Sequence, residues 1–128
     1  MSNQVRFAES LAQAVELIDA NLDGRHLLLV DDAEMVEDPG NVLGTLLAQR
    51  RNNLWAIAAG RADVLRTSYT HWTIGIRRSR IGLALRPQLE IDGELWMTPL
   101  PRRVVGQFPT GRGFLIADGT TTLVQSAA

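Results

Sequence analysis

Four apolar residues, Leu27-Leu-Leu-Val30, run without a break into two carboxylates, Asp31 and Asp32. A short unbroken apolar run of this kind reads as a strand buried on both faces. In open α/β sheets ligands gather beyond the carboxyl ends of the strands, so the two acids stand where a ligand would bind. One carboxylate at that point can hold the water shell of a nucleotide-bound Mg²⁺. A second can orient or deprotonate an attacking water. The same pattern also fits acids in a surface turn after a strand, and Glu34, Glu37 and Asp38 crowd the same segment.

Arginines follow the later apolar runs. Arg61 and Arg66 come after Leu54-Trp-Ala-Ile-Ala-Ala59 and its closing Gly60, while Arg77, Arg78 and Arg80 come after Thr73-Ile-Gly-Ile76. A guanidinium donates bidentate bonds that clamp phosphate, and in ring-forming ATPases it reaches into the neighbouring subunit's site. For any single one of them, a solvated arginine near helix-end carbonyls is the plainer alternative. All 13 Lys/Arg positions are arginine. Schiff-base chemistry, or a lysine ammonium on a phosphate, is therefore excluded within these 128 residues.

Other chemistries find less support. A phospho-receiver domain pairs acids near its chain start and uses a lysine; here a helix precedes the strand and lysine is absent. There is no Gly-x-Ser-x-Gly elbow, and His26 and His71 have no nucleophile partner at a recognisable spacing. Neither histidine stands at metal-ligand spacing from the other, and the chain has no cysteine. Trp55, Trp72 and Trp96 lie in or beside apolar runs and read as core or edge packing, not as a platform for stacking bases.

The elements that would position these groups alternate. Phe7, Leu11, Val15, Ile18 and Leu22 share one face of an amphipathic helix that Asp23-Gly24 ends. After the first strand, Pro39-Gly40 breaks the chain and Asn41 is the expected N-cap of a helix from about Val42 to Arg51. Leu54–Ala59 is a second buried strand, Ala62 to Tyr69 a short helix, Thr73–Ile76 a third strand, and Arg78 to Leu85 a helix stopped by Pro87. That alternation implies parallel pairing with right-handed crossovers. The last third differs. Asp92-Gly93 and Asp118-Gly119 each sit between β-prone runs, a hairpin signal.

Length and composition frame the whole. A chain of 128 residues, 45% apolar, fits one soluble domain able to bury roughly two-thirds of its unfolded surface. The expected organisation is a single domain, 1–128, with an α/β core over 27–87 and a hairpin-rich end over 88–128. The absence of cysteine fits a reducing compartment, no apolar run approaches the roughly 18 residues of a membrane span, and Met1-Ser-Asn-Gln is no signal peptide. The charge is split along the chain. Residues 1–48 carry nine acids and two arginines, net −7, and residues 49–128 carry eleven arginines and five acids, net +6. Either the two halves neutralise each other in the fold, or they present a field that anions sense on one side.

Five stretches, in order, carry a family likeness: Leu27-Leu-Leu-Val-Asp-Asp32, Leu54-Trp-Ala-Ile-Ala-Ala-Gly-Arg61, Ile81-Gly-Leu-Ala-Leu-Arg-Pro87, Pro109-Thr-Gly-Arg-Gly-Phe-Leu115 and Leu123-Val-Gln125. Together they resemble the C-terminal, Walker B half of an FtsK/SpoIIIE-type motor ATPase. The closest flavour is that of the actinobacterial type VII secretion (EccC-like) ATPases. The likeness spans about residues 27–126.

The resemblance implies an α/β fold: part of a RecA-like P-loop NTPase sheet with a C-terminal β-hairpin region, in a hexamer or tandem array. Such motors move double-stranded DNA or export small helical proteins, working with other modules or subunits of the same motor on the cytoplasmic side of a membrane-anchored parent. Carried over, Asp31 would take the Mg²⁺-through-water role and Asp32 the position where many relatives have the catalytic Glu. Arg61 or Arg66, or alternatively Arg77, Arg78 or Arg80, would act in trans, and Arg112 would sit in a structural or subunit-facing turn. The family's Gly-x₄-Gly-Lys-[Ser/Thr] loop is missing here. The expectation is that Mg²⁺ and ATP belong to a longer parent, that the chain alone binds neither tightly, and that it is inactive by itself. A degenerate, nucleotide-incompetent module that docks a motor subunit or a secreted protein is the alternative.

Overall fold

The computed structural model describes residues 4–49, 52–101 and 108–126. The fold is mixed α/β, with one parallel two-stranded sheet and one antiparallel three-stranded sheet. The chain divides into two compact units: residues 1–61 with 70–75, and residues 62–69 with 76–128.

Unit 1 holds α1 (Leu11–Asp19), β1 (His26–Val30), α2 (Val42–Ala48) and β2 (Leu54–Ala58). Helix α1 starts later than the apolar spacing suggests because Ser10 caps it. The Ser10 hydroxyl accepts the Gln13 N–H at 3.1 Å, and the Gln13 side chain reaches back to the Glu9 N–H at 2.7 Å. This reciprocal cap fixes the first turn and leaves Phe7 outside it, 91% exposed. Leu11, Ala14, Val15 and Ile18 form the buried stripe. The helix ends at Asp19, before Asp23-Gly24, and Asn53 holds the turn that follows, its amide donating to the carbonyls of Leu22 and Gly24.

Helix α2 begins at Val42 as expected, but its cap is not Asn41. The Asp38 carboxylate accepts the N–H groups of Leu43 and Gly44 at 3.1 and 2.9 Å, while Asn41 takes a left-handed turn at φ +55°. The helix runs to Ala48, and the expected extension to Arg51 lies outside the described residues.

Strands β1 and β2 pair in parallel, His26 with Leu54 through Val30 with Ala58, which agrees with the alternation of the sequence. Burial on both faces does not follow. His26, Leu28, Val30, Leu54, Ala56 and Ala58 are half-buried, whereas Leu27, Leu29, Trp55 and Ile57 on the other face are exposed. The third strand expected at Thr73–Ile76 does not form; Ile74–Arg77 is instead one helical turn, α4. Local bonds cause this. The His71 ring nitrogens engage Thr73 Oγ1 and the Val36 carbonyl, Trp72 Nε1 donates to the same carbonyl at 2.8 Å, and the Ile74 N–H closes a turn onto His71.

Unit 2 contains α3 (Ala62–Leu65) and the antiparallel sheet β3 (Gly82–Leu85), β4 (Arg112–Ala117) and β5 (Thr120–Gln125), in the order β3-β4-β5. The helix expected over Arg78–Leu85 is thus a strand. Arg80 sits at φ +57°, which ends any helical run, and Gly82–Leu85 then finds a partner in β4. A short apolar run is ambiguous between helix and strand until such a partner exists. Asp92-Gly93 does not turn a hairpin either; Asp92–Trp96 is a 3₁₀ helix. The buried Asp92 carboxylate accepts the Gln88 N–H at 2.8 Å, and Gly93 packs so closely that a Cβ there would strike the Thr98 carbonyl. The second hairpin does form: Asp118 and Gly119, at φ +50° and +80°, link β4 to β5. Ala84, Leu100, Phe114 and Ile116 make the core of this unit, with Leu89, Trp96 and Phe108 packed around them.

Candidate functional site

The carboxyl end of β1 is bulged. Regular parallel pairing would place Asp31 opposite Ala59 and return the Ala59 carbonyl to Asp32. The Ala59 N–H does donate to Val30 O at 2.9 Å, but the Ala59 carbonyl accepts from Ala33, at 2.8 Å. One residue is therefore extra on the β1 side. It is Asp32, at φ +48° and ψ +45°, whose N–H is satisfied by the Asp31 carboxylate, Oδ1 at 2.9 Å. Aspartate tolerates this left-handed conformation better than most side chains. Bulges re-aim side chains and terminate pairing, and this one leaves both Asp31 and Asp32 exposed at the strand end.

Two further groups join them. The Glu34 carboxylate accepts the Arg61 N–H at 3.2 Å and so ties the segment after β1 to the segment after β2. Arg61 itself is exposed at this edge. Asp31, Asp32, Glu34 and Arg61 thus form one edge of unit 1, with the acids predominating. Glu34 was visible in the sequence only as one of several clustered acids; its three-residue offset from Asp31 places it on the 3₁₀ turn Ala33–Met35 that follows the bulge.

Four of the other candidate arginines have structural partners inside unit 2. Arg66 Nη1 lies 3.4 Å from Asp92 Oδ1, with both side chains largely buried. Arg77 Nη1 donates to the Leu65 carbonyl at 2.6 Å and so caps α3; burial lowers its pKa from the ordinary arginine value, and its Nε is buried without a partner. Arg80 donates to the carbonyls of Trp96 and Met97 and to Thr98 Oγ1, clamping the end of the 3₁₀ helix. Arg112 Nε donates to Gln125 Oε1 at 3.0 Å across the β4–β5 pair, and Gln125 Nε2 donates to Thr110 O. The Gly-Arg-Gly and Val-Gln stretches are therefore two sides of one cross-strand bond. Arg78 is exposed.

The histidines are engaged locally. His26 Nε2 donates to Asn21 O, and His71 Nε2 donates to Val36 O. The Thr73 backbone N–H donates to His71 Nδ1 at 3.3 Å, so Nδ1 accepts while Nε2 donates. Trp72 is buried and Trp96 is half-buried, as expected of packing residues; Trp55 is exposed on β2.

Mg²⁺ on a nucleotide needs only one or two carboxylates beside the phosphates and retained waters. The exposed pair on the bulge fits that role, Asp31 with one oxygen already oriented by the Asp32 N–H. A triphosphate also needs a glycine-rich loop and its lysine, and these residues do not supply them. Among the described residues no three His, Cys, Asp or Glu side chains converge as a metal cage, and no helix is long and apolar enough to cross a membrane. No family model, curated protein or solved structure matches the chain.

Proposed function

We propose that the chain is the Walker B-bearing part of an ATP-driven FtsK/SpoIIIE-like translocase with a RecA-like P-loop sheet. Its cargo is double-stranded DNA or a small secreted helical protein, and it works on the cytoplasmic side of a membrane-anchored parent. The observation that carries this reading is the bulge. Two carboxylates leave the carboxyl end of a parallel strand together, exposed, beside a second strand that Arg61 follows three residues later. Asp31 would hold the water shell of Mg²⁺ on the nucleotide, and Asp32 would orient or accept a proton from the attacking water. Bound ATP would supply the phosphoanhydride that is cleaved. The phosphate cradle and its lysine would come from polypeptide outside these 128 residues.

The test is turnover by the gene product that joins these residues to a glycine-rich lysine loop. Mg²⁺-dependent ATP hydrolysis is expected. Asp32→Asn should abolish it and spare nucleotide binding, because it removes a proton acceptor and keeps the side chain's shape. A substituted protein that keeps most of its rate would return Asp32 to a purely conformational place in the bulge. The 128-residue chain alone should bind Mg-ATP weakly, and micromolar affinity in a calorimetric titration would sink the requirement for an external cradle.

The lack of any lysine favours one second reading, a nucleotide-incompetent module that docks a motor subunit or a secreted protein. A reading frame with no Gly-x₄-Gly-Lys-[Ser/Thr] loop anywhere in the parent would select it.

A further inference from the structure

The three-stranded sheet of unit 2 has two edges, and they are built differently. The β3 edge is guarded: Arg80 and Arg86, both at positive φ, bracket the short strand Gly82–Leu85, and Pro87 follows. Charge, shortness and proline are the devices that keep a strand edge from pairing with another chain. The β5 edge has none of them. Thr120-Thr-Thr-Leu-Val-Gln125 is six residues long, β-branched at four positions, and carries no charge, proline or glycine.

The pairing with β4 fixes which main-chain groups of β5 point outward. In an antiparallel ladder, successive residues turn their N–H and C=O alternately toward the partner strand and away from it. The two-residue turn Asp118-Gly119 sets Thr120 opposite Ala117, and the Ser126 N–H donates to the Gly111 carbonyl at 2.8 Å. Thr120, Thr122 and Val124 therefore bond β4. Thr121, Leu123 and Gln125 present their main-chain groups at the edge, with no main-chain partner among the described residues. Leu123 adds a second observation. It stands opposite Phe114, which stands opposite Ala84, so it lies on the face of the sheet that holds the core. Phe114 is 4% exposed and Leu123 51%, at the strand where the sheet stops.

We propose that the β5 edge pairs with the β5 edge of a second copy of this chain, antiparallel, about a two-fold axis at Leu123. Only the outward residues can bond across the edge, and one register joins all three of them. Leu123 faces its own copy and Thr121 faces Gln125 of the second copy, each pair exchanging N–H···O bonds. The strand fits itself in this register: no charge meets its like, and the two half-open leucines cover each other on the core face. Any extended backbone could bond the edge; the leucine that shields its own copy at the axis is what selects a second copy. The contact is isologous, so it closes at two copies, and the guarded β3 edges end the joined sheet on both sides. One strand edge falls far short of the roughly 20–30 residues a side of a standard interface, so the dimer is weak and reversible. The contact involves unit 2 alone, and the ATP experiments above leave it untouched.

Sedimentation velocity and amide hydrogen exchange on the 128-residue chain test this. The wild-type chain should pass from monomer to dimer as concentration rises and grow no further. Exchange of the Thr121, Leu123 and Gln125 amides should slow with it, about twofold at the dimerisation midpoint, while the Thr122 and Val124 amides, already bonded to β4, do not change. Leu123→Lys and Leu123→Glu each set like charges opposite each other at the axis, so either variant alone should stay monomeric. An equimolar mixture of the two should dimerise, because lysine then faces glutamate; circular dichroism confirms that both are folded. The exchange experiment needs no variant and so stands even where a substituted chain fails to fold. A wild-type chain that stays monomeric at millimolar concentration would leave the edge to some other extended segment and overturn the proposal. Growth beyond a dimer, a dimer whose Thr121, Leu123 and Gln125 amides exchange as in the monomer, a folded single variant that dimerises like wild type, or a mixture of folded variants that stays monomeric would each overturn it too.

Discussion

Arg66 Nη1 lies 3.4 Å from Asp92 Oδ1, a link between residues 26 apart in sequence that joins the end of α3 to the 3₁₀ helix of unit 2. The Gln88 N–H donates to the other Asp92 oxygen, so the carboxylate is held from two sides. Arg66→Ala leaves one bond to a nearly buried charge and is expected to lower the unfolding free energy by about 1 kcal/mol; Asp92→Ala also frees the Gln88 N–H and should lower it by about 2 kcal/mol. Because the two residues share an interaction, the double variant should lose less than the sum. Urea denaturation of the four proteins measures the coupling, and strict additivity would show that the pair contributes nothing.

Asp38 does the work of a cap from four residues upstream of α2. Asp38→Ala removes the acceptor of two N–H groups at the helix start and should cost about 1–2 kcal/mol, whereas Asn41→Ala removes no side-chain cap bond. Thermal melts that rank the two variants the other way would contradict this assignment.

The bulge at Asp32 holds an aspartate in the left-handed region. Asp32→Gly relieves a left-handed aspartate and should raise stability by about 0.5 kcal/mol, while Asp32→Val should lower it by about 1–2 kcal/mol. In an active parent both variants should be dead. Denaturation midpoints and ATPase rates measured side by side check whether the two properties move independently.

Gly119 offers a control for backbone strain alone. It sits at φ +80°, and a Cβ there would meet nothing closer than an Arg80 guanidinium nitrogen at an ordinary contact distance of 3.5 Å. Gly119→Ala should therefore destabilise by about 1 kcal/mol with no steric clash, and Asp118→Gly should be tolerated. A neutral Gly119→Ala in chemical denaturation would show that the β4–β5 turn relaxes.

If the parent is a ring motor, an arginine supplied by a neighbour contributes about 10³–10⁵ in rate. Arg61, exposed at the same edge of unit 1 as Asp31 and Asp32, is the first of the candidates to test. Arg61→Ala should abolish turnover when every subunit carries it, and mixing it with Asp32→Asn should restore part of the rate. Mixtures that stay inactive would argue against an arginine acting in trans.

Local rules made part of this legible. The unbroken Leu27–Val30 run and Asp118-Gly119 each specify their element within a few residues, and the parallel pairing of β1 with β2 follows from strand–helix alternation. What was not legible depended on distant partners. Gly82–Leu85 becomes a strand only because β4 lies beside it, and Asp92-Gly93, which looks like a hairpin turn, is buried by Arg66 and Gln88. At the candidate site the types and order of Asp31, Asp32 and Arg61 were visible. The bulge was not, because it depends on which neighbour the Ala59 carbonyl selects.

Unit 1 is completed by residues that arrive late. Residues 70–75 belong to it, although residues 62–69 of unit 2 come between them and the rest. Trp72, 6% exposed, and His71 both bond the Val36 carbonyl, so a chain ended after Arg61 would leave that carbonyl without either donor. During synthesis, unit 1 cannot close until its sixth-from-last residue, Thr70, and the five after it have cleared the ribosome, by which time α3 of unit 2 has already emerged. No single cut in the backbone yields both units whole: a cut after Gly75 leaves residues 62–69 with unit 1, and a cut after Arg61 leaves residues 70–75 with unit 2.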